Sequence, residues 1–263
     1  MIRLIASDLD GTLLTPEGEL PEGAFRIIRK LHSKGILFCP ASGRQLTALG
    51  RMFAPVWDKI AVIAENGAIV ACRGEVLRCE TLPRPAVQRA LCEVRKLPGA
   101  HALLCTPDCA YYEDDAQPFL RFVLASYVDN ARRDLGEVAA REDVCKIAVY
   151  DGGGPERGCM RVLPQALPDL RIILSGGNWL DISEKRTDKG AALRFLRAHL
   201  GLARGECAAF GDHMNDYEML LESGHPFVTQ NAYPALKERI GVPVPSNAEN
   251  GALLAMERIA EEA

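Results

Sequence analysis

The segment Leu4-Ile5-Ala6-Ser7-Asp8-Leu9-Asp10-Gly11-Thr12-Leu13 decides the architecture of this chain. A short apolar run ends in two carboxylates two positions apart, and a glycine turn follows at once. A run of this length fits a buried strand. Acids at its carboxyl end stand where open parallel sheets bind ligands. Two carboxylates so placed can approach one divalent cation, while backbone N–H groups of the turn can meet an anion. Capping by Asp10 would explain one acid, but it gives no reason for a second at Asp8.

Working outward, the same grammar recurs. Gly35-Ile36-Leu37-Phe38-Cys39 runs into Pro40-Ala41-Ser42-Gly43-Arg44, and residues 60–64 run into Glu65-Asn66-Gly67. Between the first two runs, residues 22–33 carry Ala24, Phe25, Ile27, Ile28 and Leu31 at helical spacing. Strand, helix, strand in this order implies a parallel sheet with helices packed on it.

The rhythm changes after Gly67. Residues 68–72 and 76–79 read as a hairpin around Arg73-Gly74-Glu75. Helices are expected over 85–97, 117–127 and 156–166, and strands over 102–105, 110–112, 146–150, 171–174 and 179–182, with a turn at Asp151-Gly152-Gly153-Gly154. Runs of strands with fewer helices describe an α+β insert. The first grammar returns near Thr187, where Asp188 is placed to cap a helix ending around His199-Leu200-Gly201. Ala208-Ala209-Phe210 then reads as a strand ending at Gly211-Asp212, Phe227-Val228 as another, and Val242-Pro243-Val244 as a short edge strand that tolerates its proline. The expected fold is α/β: a Rossmann-like parallel-sheet core from residues 1–82 and 187–263, with an α+β cap inserted over 83–186.

Composition excludes more than it assigns. The 263 residues are 48% hydrophobic and 25% charged, which rules out disorder, collagen-like repeats and a disulfide miniprotein. A net charge of −4 offers no basic surface for nucleic acid or an anionic membrane. Nine cysteines are an odd number with no C-x-x-C pair, so buried thiols in a reducing compartment are expected rather than a zinc or thioredoxin-type motif. Residues 1–7 are too short for a signal sequence, and no apolar run approaches the roughly 18 residues of a membrane span, so a cytoplasmic location is expected.

Three further clusters share the strand-terminal position of Asp8 and Asp10. Ser42-Gly43-Arg44 offers a hydroxyl and backbone amides suited to phosphate oxygens, although Ser42 taken alone reads better as an ordinary helix cap. Lys189 follows Thr187-Asp188 in a first helical turn, where the dipole disfavours a cation and a purpose beyond solvation is suggested. Gly211-Asp212-His213-Met214-Asn215-Asp216 supplies two more acids and an amide. Four acids converging on one crevice would repel strongly without a cation, and Mg2+ is the natural one for carboxylates, water and phosphate oxygens.

In order and spacing, Asp8-Leu9-Asp10-Gly11-Thr12, Ser42-Gly43-Arg44, Lys189-Gly190 and Gly211-Asp212-x-x-Asn215-Asp216 resemble the haloacid dehalogenase superfamily. With the insert between the second and third motifs, the chain is similar to its Cof-type (class IIB) sugar-phosphate phosphatases. Glu65-Asn66-Gly67-Ala68 and Asn231-Ala232 also fit that pattern, from Ile2 to about Gly251. Over the cap the likeness is architectural only. The resemblance implies Asp8 as nucleophile, forming an aspartyl-phosphate, and Asp10 as general acid and then base. It implies Mg2+ held by Asp8, the Asp10 carbonyl and Asp212, with Asp216 in support. Leu9, Gly11, Thr12, Ser42, Gly43, Lys189 and Asn215 would bind the phosphoryl group. Arg44, Asn66, Asn178, Lys185, Arg186 and His213 are candidates to face the leaving group of a small phosphorylated metabolite.

The sequence departs from the family at His213, where glycine is usual, at Glu184-Lys185-Arg186-Thr187 before the motif lysine, and at His225-Pro226-Phe227-Val228-Thr229-Gln230. A phosphomutase on the same scaffold and a silent phospho-ligand binder are the alternatives. The intact Asp8/Asp10 pair argues against the binder. Metal-dependent glycosyl transfer also uses an Asp-x-Asp pair, but it explains neither Lys189 nor the run from Asp212 to Asp216.

Overall fold

The computed structural model describes the backbone of residues 1–263 and the surroundings of all but Gly176. The chain divides into two compact units, one of Met1–Ser42, Met52–Leu77 and Asp188–Ala263, the other of Gly43–Arg51 and Arg78–Thr187.

The first unit is built on a five-stranded, wholly parallel sheet in the order Val242–Val244, His225–Thr229, Cys207–Gly211, Leu4–Ser7, Leu37–Pro40. Leu4, Ile5 and Ala6 are completely buried, which is why the strand reads as a continuous apolar run rather than an alternating one. One face packs Leu4, Ala6, Cys207 and Ala209 against Leu193 and Leu196 of the Lys189–His199 helix and against Met219 and Leu220. The helix Ala24–Ser33 buries Ala24, Ile27, Ile28 and Leu31, the spacing read in the sequence. The proline of Val242-Pro243-Val244 is accommodated because that strand is the sheet edge.

The third apolar run keeps the expected parallel direction beside Leu37–Pro40, and it also opens an antiparallel hairpin. Residues 60–64 join the parallel sheet through the parallel bridges Phe38 to Ile60 and Ala41 to Ile63, and the chain then reverses, so that Ala61–Ala64 pairs antiparallel with Ile69–Cys72. The cause is local: Glu65 (φ 50°), Asn66 (φ 54°) and Gly67 (φ 105°) are consecutive left-handed residues that fold the chain straight back. The hairpin that follows turns through Arg73 (φ 52°) and Gly74 (φ 86°), the two positive values a tight two-residue hairpin turn requires.

The second unit carries a six-stranded sheet in the order Leu170–Gly176, Trp179–Glu184, Lys146–Asp151, Ala100–Cys105, Ala110–Tyr112, Asn130–Arg132. It is antiparallel except for its last pair. Leu104, Ile147, Val149, Leu180 and Ile182 pack against the helices Arg84–Arg95, Leu135–Arg141 and Cys159–Ala166. Phe119 and Val123 of the helix Phe119–Ser126 pack with Leu103, Ala148 and Tyr150 in a separate cluster. This α+β unit also takes in Gly43–Arg51, with Lys146 Nζ donating to the Gly43 carbonyl at 2.9 Å.

The helix expected from 156 begins at Cys159, since Asp151 accepts the Cys159 N–H at 3.0 Å and the preceding residues turn before it. The strand Asn130–Arg132 and the helices Leu135–Arg141 and Gly251–Glu262 are not among the expected elements, whereas Leu46–Met52 follows the Ser42-Gly43-Arg44 cluster where a helix is expected to begin. For Leu135–Arg141 a signal was present: Asp134 accepts the Glu137 N–H at 2.8 Å, and Asp-x-x-Glu is a helix-start pattern. No helix is long and apolar enough to cross a membrane among the described residues.

Candidate active site

The register of the parallel sheet assembles the site. Ser7 lies opposite Phe210 on one side and Pro40 on the other, so Asp8, Gly211-Asp212 and Ala41-Ser42 all emerge at one carboxyl edge. Asp8 is anchored there by its N–H, which donates to the Phe210 carbonyl at 2.9 Å, and the Ser7 hydroxyl donates to the Asp8 carbonyl at 2.8 Å.

Asp8, Asp212 and Asp216 each bring a carboxylate oxygen within 4.8 Å of the others. Lys189, almost wholly buried, donates from Nζ to Asp8 Oδ1 at 2.6 Å and to Asp216 Oδ1 at 2.7 Å. Asp216 Oδ2 accepts the N–H groups of Asp212 and His213, each at 3.1 Å. Both Asp216 oxygens are therefore committed to holding the lysine and the turn. Asp212 is held from the other direction, because the Thr12 hydroxyl donates to its Oδ1 at 2.7 Å.

One ammonium does not balance three carboxylates. Burial, and next the charge of Asp216, push the Asp8 carboxyl well above its ordinary pKa, with Lys189 opposing them. The same two causes raise Asp212, opposed by the Thr12 hydrogen bond. Burial works against the Lys189 ammonium, but Asp216 and Asp8 more than offset it, and its pKa stands above the ordinary lysine value. The cluster is short of positive charge and is lined by hard oxygen donors, which is the donor set that suits Mg2+.

The turn after Asp8 depends on a glycine. Gly11 has φ 84°, and a Cβ there would lie 2.4 Å from Asp212 Oδ2. Its carbonyl accepts from Asn231 Nδ2 at 2.8 Å, while Asn231 Oδ1 accepts the Asn247 N–H at 3.0 Å and Asn247 Nδ2 donates to the Leu14 carbonyl at 3.0 Å. Asn231 entered the sequence reading only as part of a pattern, and Asn247 was missed. A lone asparagine more than 200 residues from its partner offers no local signal.

A second backbone relay reaches the lysine. The Ser42 N–H donates to Ile63 and the Asn66 N–H to the Ser42 carbonyl, at 2.9 and 3.0 Å. The neighbouring Gly67 packs so closely on the start of the Lys189 helix that a Cβ would lie 2.3 Å from the Asp188 carbonyl. Asp188 caps that helix as expected, accepting the Ala191 N–H at 2.7 Å.

The remaining candidates fall in several places. Asp10 is exposed, Leu9 and Thr12 are buried, and Asn215 is half-buried in the Met214–Asp216 turn. Asn66 and Ser42 are buried. His213 is exposed, with its ring 5.5 Å from that of Tyr233. Gly43, Arg44, Asn178, Lys185 and Arg186 belong to the second unit. There Asn178 Nδ2 reaches the Tyr150 hydroxyl at 3.4 Å, Lys185 Nζ donates to the Pro168 carbonyl at 2.7 Å, and the Arg186 N–H donates to Glu184 at 2.6 Å.

Comparison with known proteins agrees with this arrangement. Residues 5–256 match the family described as haloacid dehalogenase-like hydrolases. The chain is 33% identical over 242 residues to the HMP-PP phosphatase of Cronobacter sakazakii, covering 90% of this chain and 87% of that one. It is 28% identical over 263 residues to the HMP-PP phosphatase of Escherichia coli K12, covering 96% and 93%. The crystal structure of TM0651 from Thermotoga maritima superposes with a TM-score of 0.85 at 29% identity, covering 98% of this chain and 97% of that one. SMU.1108c from Streptococcus mutans, at 22% identity and a TM-score of 0.90 over 99% of this chain and all of its own, shares the fold. A parallel-sheet core with acids at its carboxyl edge, an α+β unit inserted in it, and matches running almost end to end place this chain in the haloacid dehalogenase-like hydrolase family, as one of its phosphatases.

Proposed function

We propose that the protein is a Mg2+-dependent phosphatase of small phosphorylated metabolites that works through an aspartyl-phosphate on Asp8. The observation that carries this reading is the buried Asp8–Lys189–Asp216 arrangement beside Asp212: a carboxylate held in place by an ammonium, in a cluster still lacking positive charge.

Asp8 and Asp212 are the side chains that would hold the metal, with the Asp10 carbonyl beside them. Asp216, whose oxygens are engaged elsewhere, supports from behind by fixing Lys189 and the 212–213 backbone. When bound, Mg2+ supplies positive charge against the phosphoryl oxygens and the attacking carboxylate.

An Asp8 oxygen attacks phosphorus in line, the bond to the leaving oxygen breaks, and Asp10 protonates that oxygen. Its exposed position suits a group that must meet both leaving group and water. Asp10 then takes a proton from water as it attacks the phosphoryl group, and the Asp8 carboxylate is regenerated with release of phosphate. Lys189, the Ser42 hydroxyl and the backbone N–H groups of Leu9 to Thr12 and Gly43 would stabilise the transferring oxygens, with Asn215 in support. The segment 83–186 would act as the cap that shields this chemistry from bulk water, with Arg44, Asn66, Asn178, Lys185, Arg186 and His213 proposed to meet the leaving group. A cytoplasmic location accords with such substrates. Sugar phosphates are the class the sequence points to, and HMP-PP is the compound named for the curated relatives.

The test is Mg2+-dependent hydrolysis of an aryl phosphate, HMP-PP and a sugar-phosphate panel by the native chain and by Asp8→Asn. Activity in the native protein that is lost in the variant supports the proposal. Equal activity in both, or none in the native protein with any compound, refutes it.

A further inference from the structure

Two sulfurs in the second unit stand apart from the chemistry above. Cys79 closes the strand Glu75–Cys79 and is exposed, whereas Cys145 is buried immediately before the strand Lys146–Asp151. Their Sγ atoms are 3.5 Å apart. One backbone bond links the two segments, the Leu82 N–H donating to the Val144 carbonyl at 2.8 Å, while the Cys145 N–H donates to the Cys105 carbonyl at 2.8 Å and fixes Cys145 to the sheet. The two segments thus lie next to each other, and the sulfurs would have to close from 3.5 Å to a bond of about 2.05 Å.

The two thiols differ in the way a redox pair requires. Cys79 is open to solvent, and its hydrogen bond with Cys145 draws its pKa below the ordinary thiol value, against burial and the nearby acids Asp143, Glu80 and Asp108. Burial instead pushes Cys159 and Cys207 up to about 12, which leaves them inert.

We propose that Cys79 and Cys145 are a peroxide-sensitive dithiol, with Cys79 the attacking and Cys145 the resolving sulfur. The Cys79 thiolate attacks hydrogen peroxide, forming an S–O bond as the O–O bond breaks, and the departing hydroxide is protonated to water. The Cys145 sulfur then attacks the sulfenic acid. An S–S bond forms, the S–O bond breaks, and the second oxygen leaves as water with the Cys145 proton. Two thiols and one peroxide become one disulfide and two waters. The bond would tie the segment by which the chain enters the second unit to that unit's own sheet.

The full-length protein is treated with stoichiometric hydrogen peroxide and mapped without reduction. A peptide pair linked through Cys79 and Cys145, released by dithiothreitol, is the expected product. It is retained in Cys92→Ser, which alters the other exposed cysteine, and absent in Cys79→Ser. In Cys145→Ala a dimedone adduct at Cys79 is expected instead. Sulfinic acid at Cys79 without the linkage, Cys79-linked dimers, or no change at either residue would overturn the proposal. The readout is the linkage itself, so it stands or falls independently of the phosphatase assay.

Discussion

Lys189 and Asp8 are 181 residues apart in the chain, and the lysine ammonium donates to the aspartate carboxylate at 2.6 Å. The same ammonium holds Asp216, so one side chain ties the acid at the end of Leu4–Ser7 to one in the turn that follows the neighbouring strand Cys207–Gly211. Replacing it leaves two buried carboxylates facing each other. Lys189→Met should lower kcat about 10²-fold or more and cost roughly 3 kcal/mol of stability. Steady-state kinetics and denaturant unfolding check both.

Thr12 has been assigned to the phosphate, yet its hydroxyl is committed to Asp212 Oδ1. Thr12→Val keeps the shape and removes that bond. The concentration of Mg2+ giving half-maximal rate should rise about 10-fold or more, with kcat at saturating Mg2+ changed only a few-fold.

Gly67→Ala places a methyl 2.3 Å from the Asp188 carbonyl at φ 105°. Neither the turn nor the start of the Lys189 helix can yield without moving the lysine. A stability loss of about 2–4 kcal/mol, with a fall in kcat, is the expected outcome in unfolding and activity measurements.

Glu222 accepts from Arg194 and Arg197, at 2.6 and 3.1 Å, and the Arg194 hydrogen bond is the larger cause holding its carboxyl below the ordinary value. Its folded pKa is depressed, so the stabilisation is present above the unfolded value of 4.5 and is lost as pH falls through the folded one. Glu222→Gln should therefore cost about 1 kcal/mol at pH 7 and nothing once both states are protonated. Unfolding curves at pH 7 and at the acid limit distinguish this from a loss of packing.

What the sequence showed and what it hid follow from the range of the forces involved. Strand ends marked by Asp8, Ser42 and Gly211-Asp212 were legible because burial demands apolar runs and chemistry interrupts them. The cap of the Lys189 helix was legible because Asp188 acts within three residues. The reversal after Ala64 was not, because Asn66-Gly67 is a turn pair but Glu65 takes up left-handed backbone against its ordinary preference. The Asn231–Gly11 and Asn247–Leu14 clasps were equally hidden, because side-chain to backbone bonds across 220 and 233 residues leave no trace in spacing. Nor does any periodicity announce that Gly43–Arg51 joins the second unit, a matter settled by Lys146 on Gly43 and by Gln45 Nε2 on the Asp129 carbonyl.

The strand order has a consequence for how the protein comes into being. Leu4–Ser7 is made first, and one flank of it is filled soon after by Leu37–Pro40, but the other waits for Cys207–Gly211. A chain still on the ribosome carries Asp8 with neither Lys189 nor Asp212 beside it, and an open sheet edge in place of the neighbour that completes its cluster. Biosynthesis itself therefore keeps the site unformed until the late strands have emerged and docked, and nascent chains arrested before Cys207 should expose that edge to chaperones and to one another.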